Sequence, residues 1–115
     1  MDIDAQRRTL ELERAATLGR MAALDLDLDD IMSAGHENSD DEHDPEGSTI
    51  AFERARTISL LQEARTRLGE LERAAERLTA GTYESCEQCH QEIAAERLAA
   101  RPEVRTCIRC AGRLP

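Results

Sequence analysis

At 115 residues, with one Tyr, one Phe and no Trp, the chain has no material for a large aromatic core, and Tyr83 and Phe52 alone cannot build the stacking platform that single-strand binders use. Charged residues make up 34% of the chain, and the formal net charge of −9 argues against holding nucleic acid unaided, because neutralising phosphates takes clustered cations. No stretch nears the roughly 18 consecutive apolar residues of a membrane span, and Asp2 and Asp4 spoil a signal-peptide reading, so no membrane association and a cytoplasmic protein are expected.

The first predicted element is a helix from about Ile3 to Ala34. Ile3, Leu10, Leu24 and Ile31 share one heptad position, and Met21 and Leu28 share the facing one. Arg7, Arg14 and Thr17 interrupt this seam. Residues Leu24 to Leu28 alternate Leu and Asp like a strand, but a lone strand has no partner, so the helix reading stands. Asp25-x-Asp27-x-Asp29 starts like a calcium loop and then fails, with Asp30 at the sixth position and His36 at the twelfth, which leaves a solvated helix face.

A polar turn follows, from about Gly35 to Gly47, with Asp40, Asp41, Glu42, Asp44 and Glu46 close together. It completes an acidic N-terminal part: residues 1–47 carry 14 acidic and 4 basic side chains, against 10 and 11 in the remainder. Acidic runs are commonly no more than solvated loops, yet a charged tip on a helical hairpin suits a cation-rich cavity on a partner.

Residues 48–80 carry the strongest periodicity, with Leu61, Ala64, Leu68, Leu71, Ala75 and Leu78 at alternating three- and four-residue steps. Ser48 and Thr49 are candidate N-caps, and Gly81 fits the stop. Such a helix cannot bury its apolar stripe alone, and a short connection favours an antiparallel partner. The fold expected is mainly α: an antiparallel helical hairpin, or coiled coil, over 1–80, then a small zinc-finger module over 81–115 with a short helix.

That module rests on Cys86-x-x-Cys89 and Cys107-x-x-Cys110, two pairs with 17 residues between them. The spacing suits one tetrahedral zinc, and four protein thiolates leave no open position for water, so the metal is structural and not catalytic. Redox-active C-x-x-C turns are the alternative, and an iron–sulfur cluster fits the ligand count but not the usual spacings. His90 has no vacancy to fill and is read as facing solvent. Ile93 to Pro102 reads as one short helix stopped before the proline, with Ile93 and Leu98 on its buried side.

Gly81-Thr-Tyr83 followed by Cys86-x-x-Cys89-x-x-x-Ile93-x-x-x-Arg97-x-x-x-x-Pro102-x-x-x-x-Cys107-x-x-Cys110 resembles the zinc finger of the DksA/TraR family, and the hairpin before it resembles the coiled coil of DksA-like members. The resemblance implies a non-enzymatic transcription regulator that binds RNA polymerase rather than promoter DNA and inserts its coiled-coil tip into the secondary channel. It implies that Tyr83, Ile93, Arg97 and Pro102 support the zinc module. The family tip motif is Asp-x-x-Asp-x-Ala. Here Asp41 and Asp44 keep the Asp spacing and Glu46 stands at the Ala position, which makes these three the expected tip residues. Counting back from the cysteines instead starts the motif at Asp44, with Gly47 and Thr49 at the other two positions. Only Ala111 to Pro115 follow the last cysteine, where DksA-like members continue into a helix that contributes alarmone contacts, so synergy with ppGpp is not expected.

Three other readings compete. One is a zinc-stabilised protein–protein adaptor, binding for example a sigma factor, that never enters the polymerase channel. Another is a nucleic-acid-binding zinc ribbon using Arg97, Arg101, Arg105, Arg109 and Arg113, and the third is a thiol redox switch.

Overall fold

The structure, a computed structural model, describes residues 2–37 and 45–113. Its elements are α1 (Ile3–Glu37), α2 (Pro45–Ala80), α3 (Ala95–Ala100) and α4 (Ile108–Ala111), with no strand among the described residues beyond an isolated antiparallel bridge between Ser85 and Glu92. α1 and α2 form the helical hairpin that the apolar spacing predicts.

Both long helices extend into the expected turn. Gly35, His36 and Glu37 belong to α1, and Pro45, Glu46 and Gly47 belong to α2. Ser48 and Thr49 therefore lie inside α2 and are not its N-caps. Pro45 is its first residue, a position where the missing N–H costs nothing and the fixed φ already suits a helix. At the other end α2 stops as expected. Gly81 takes φ +82, its N–H donates to Leu78 O (3.3 Å), and Thr82 N–H donates to Arg77 O (2.9 Å), which is the paired closure of a Schellman motif. α1 starts under a cap from Asp2, whose Oδ1 accepts from Ala5 N–H at 3.2 Å.

The chain divides into two compact units. The first comprises residues 1–16 and 67–115, and the second comprises residues 17–66. In the second, the α2 seam is Thr57, Leu61 and Ala64, all buried. Across from it Met21, Leu24, Leu28 and Ile31 are half-buried, while Asp25, Asp27, Asp29 and Asp30 are exposed. Thr17, expected to weaken the seam, is among the most buried residues of the chain. A helical threonine can turn its hydroxyl back onto the preceding turn, as Thr9 does to Ala5 O at 3.1 Å, so a seam tolerates it better than its polarity suggests.

In the first unit the α2 seam continues through Leu71, Ala74 and Leu78, and Leu10 buries against this core from α1. Ala74, not Ala75, occupies the seam, and Ala75 and Leu68 are only half-buried. Ile3, expected to open the α1 seam, is 52% exposed. The same core includes Tyr83, Cys86, Ile93, Leu98, Cys107 and Cys110, so the hairpin segment of this unit and the cysteine module share one set of buried side chains.

Candidate metal centre

The first cysteine pair sits on a turn closed by backbone hydrogen bonds. His90 N–H donates to Cys86 O (2.9 Å), and Cys86 N–H donates to Gln91 O (2.8 Å). The turn needs a left-handed residue, and His90 supplies it at φ 61, exposed to solvent as the sequence suggests. The second pair straddles the start of α4, where Cys107 precedes the helix and Cys110 lies inside it. Glu87 N–H donates to Arg105 O (2.9 Å), which ties the first turn to the segment leading into the second.

The four Sγ atoms lie within 4.8 Å of one another, and Cys89 Sγ is 3.7 Å from Cys107 Sγ. Zinc–thiolate bonds of about 2.3 Å in a tetrahedron put the sulfurs about 3.8 Å apart, so the cluster has the size of a zinc shell. Cys86, Cys107 and Cys110 are buried and Cys89 is half-buried.

Crowding splits the acidities of these thiols. Burial pushes the Cys86 thiol up, but backbone hydrogen bonds from Cys89, Cys107 and Gln88 outweigh it and hold the group at about 6. A backbone hydrogen bond from Cys110 lowers Cys107. The Cys110 thiol, hydrogen-bonded to Cys107 and buried, is pushed up to about 12. A buried group of four thiolates is tolerable only around a cation, and a divalent ion removes that conflict. The cluster fits one structural zinc ion, which the thiolates of Cys86, Cys89, Cys107 and Cys110 would hold and which would tie the two turns together.

The other residues singled out from the sequence surround this centre. Tyr83 is buried and its hydroxyl donates to Pro102 O at 2.8 Å. Burial raises its pKa above the ordinary value, against the opposing pull of Arg77. Arg97 Nε donates to Thr106 O at 3.0 Å, one residue before Cys107. Pro102 and Ile93 are buried, but Ile93 lies outside the helix expected to contain it. Its N–H donates to Glu84 O (2.7 Å) beside the Ser85–Glu92 bridge, and α3 begins only at Ala95. Asp41 and Asp44 lie outside the described residues, and Glu46 is placed only as part of α2.

Polar ties that no sequence pattern marks join the helices to the module. Arg67 donates through Nη1 to Glu103 Oε1 (2.9 Å) and through Nη2 to Glu13 Oε2 (2.8 Å). Its hydrogen bond to Glu13 is the main cause that raises its pKa. Arg77 Nη2 donates to Val104 O at 2.8 Å, and Nη1 stands 3.8 Å from Glu87, which is 3.7 Å from Arg105. Both arginines sit in a chain where Arg supplies all fifteen basic residues, and nothing in their spacing marks them.

Fold and site together define a four-cysteine zinc-finger protein with a helical hairpin. Residues 81–115 match the prokaryotic dksA/traR C4-type zinc finger. The chain is similar over 98% of its length to transcription factor DksA2 from Pseudomonas aeruginosa, with a TM-score of 0.77, 24% sequence identity and 84% of that chain covered. It is also 46% identical over 44 residues to an uncharacterized protein of Aquifex aeolicus (strain VF5), a match covering 38% of this chain and 30% of that protein. The matched stretch thus spans under a third of that curated relative's length. Residues 81–115 thus form a zinc finger of the dksA/traR C4 type, and the chain as a whole shares the fold of DksA2.

Proposed function

We propose that the chain is a non-enzymatic transcription regulator that binds RNA polymerase and presents the acidic segment between α1 and α2 to the polymerase's secondary channel. The observation that carries this reading is the likeness to a transcription factor over 98% of the chain, hairpin and zinc finger together. A likeness confined to the zinc finger would leave the hairpin without a role.

The chemistry of the chain suits that reading. Four thiolates on one zinc leave no open coordination position, so the metal offers no route to hydrolysis or redox turnover. Residues 1–47 carry an excess of ten negative charges, which disfavours DNA and favours a basic protein surface. In this reading Tyr83, Ile93, Arg97 and Pro102 support the module, and Asp41, Asp44 and Glu46 act near the polymerase's catalytic centre.

Transcription from a responsive promoter, with a variant carrying Asp41→Ala, Asp44→Ala and Glu46→Ala, tests the role of the acidic segment. The expected result is unchanged polymerase affinity with the effect on initiation lost. A variant as effective as the parent contradicts the role given to these three residues.

A further inference from the structure

The first compact unit joins the two cysteine pairs to residues far away in sequence, including the first sixteen of the chain. We propose that zinc occupancy governs the order of the N-terminal part of α1, residues 2–16, through a polar relay that runs from the cysteine module by way of Glu103 and Arg67 to Glu13. This inference rests on the zinc assignment and is independent of the polymerase reading.

The relay starts between the cysteine pairs. Residues 103–106 lead directly into Cys107, and Arg105 O is held by Glu87 N–H from the first turn. Zinc held by the four cysteines would join those two turns, so without it the segment carrying Glu103 and Val104 would keep only its hydrogen bonds. Two arginines of α2 read that segment: Arg77 holds Val104 O, and Arg67 holds the Glu103 carboxylate. Glu103 is only 11% exposed at its side chain and keeps Oε2 buried without a hydrogen bond, so its position depends heavily on Arg67. The second nitrogen of the same guanidinium holds Glu13 on α1. A planar fork that satisfies two carboxylates at once ties their positions together.

On the same segment, residues 2–16, Arg14 stands 3.9 Å from Glu72 of α2. Leu10 is the one buried side chain there, and it belongs to the core that contains Cys86, Cys107 and Cys110. Leu12 is 73% exposed and Ile3 is 52% exposed. A helical segment of about fourteen residues is marginal in water without tertiary contacts. Loss of the module's order therefore weakens both the apolar and the ionic hold on this segment, leaving it the α1–α2 pairs Arg14–Glu72 and Arg67–Glu13 and the α2 seam.

Hydrogen exchange on the full chain, zinc-loaded and after stripping with EDTA, tests the relay. Amides of residues 9–14 are expected to exchange about tenfold faster without zinc, together with those of residues 93–98. Unchanged exchange at residues 9–14 beside a loosened module overturns the proposal. Where stripping melts the whole chain, zinc-loaded Glu103→Ala decides, with its metal content measured. Faster exchange at residues 9–14 with zinc retained supports the relay, and wild-type exchange there overturns it.

Discussion

Individual residues differ in how far their roles can be read from sequence. The cysteines are legible because C-x-x-C is a local pattern, and the structure brings all four sulfurs within 4.8 Å. The partners of Tyr83, Arg97, Arg67 and Arg77 are not legible, since their acceptors include backbone carbonyls and carboxylates that only the folded chain brings near. Cys110→Ser should leave a three-thiolate site and a protein that loses zinc to a mild chelator when the parent keeps it, as metal analysis after dialysis would show. Tyr83 offers a pH test, being the one tyrosine of the chain. Its folded pKa lies above the ordinary 10.0 because burial disfavours the phenolate. Above pH 10 the unfolded chain loses this proton first, so the unfolded state binds fewer protons and stability falls as pH rises through the folded value. Absorbance at 295 nm should therefore show phenolate appearing later in the folded protein than in urea. Tyr83→Phe should remove that signal and cost about 1 kcal/mol for the lost bond to Pro102 O.

At the scale of elements, heptad spacing locates both long helices, because burying an apolar stripe is the dominant local constraint on such segments. Their ends are less legible. α2 begins at Pro45, and the Ser48-Thr49 pair that looks like a cap is overridden by helix continuing through it. The shift from Ala75 to Ala74 and the burial of Thr17 arise where helix packing, not hydrophobicity alone, selects the inward residue. α4 is four residues long and set by the second cysteine pair, too short for periodicity to show. Two glycines allow a paired test of backbone conformation. Neither Gly81 nor Gly19 has any atom within 4 Å of an added Cβ, so packing is neutral at both. Gly81→Ala should destabilise by about 1 kcal/mol, because φ +82 strains an L residue. Gly19→Ala, in the exposed interior of α1, should stabilise by about 0.5–1 kcal/mol. Chemical denaturation of both variants checks the opposite signs.

For the whole molecule, a mainly helical fold of two long helices followed by a four-cysteine region is visible in the order of periodic and cysteine-bearing segments. An antiparallel hairpin already pairs residues 1–16 with the end of α2, but the sequence does not reveal that Leu10 shares one core with the cysteine module or that Glu13 and Glu103 meet on Arg67. Under the proposed function, the hairpin and zinc module together would recognise RNA polymerase. The most direct test is the affinity of the zinc-loaded protein for core RNA polymerase from its own organism, measured without DNA. The account predicts saturable binding with a Kd of roughly micromolar or tighter, competitive with other proteins that enter the secondary channel. Absence of binding at polymerase concentrations of about ten micromolar would contradict it and leave a zinc-stabilised adaptor for another protein as the better reading.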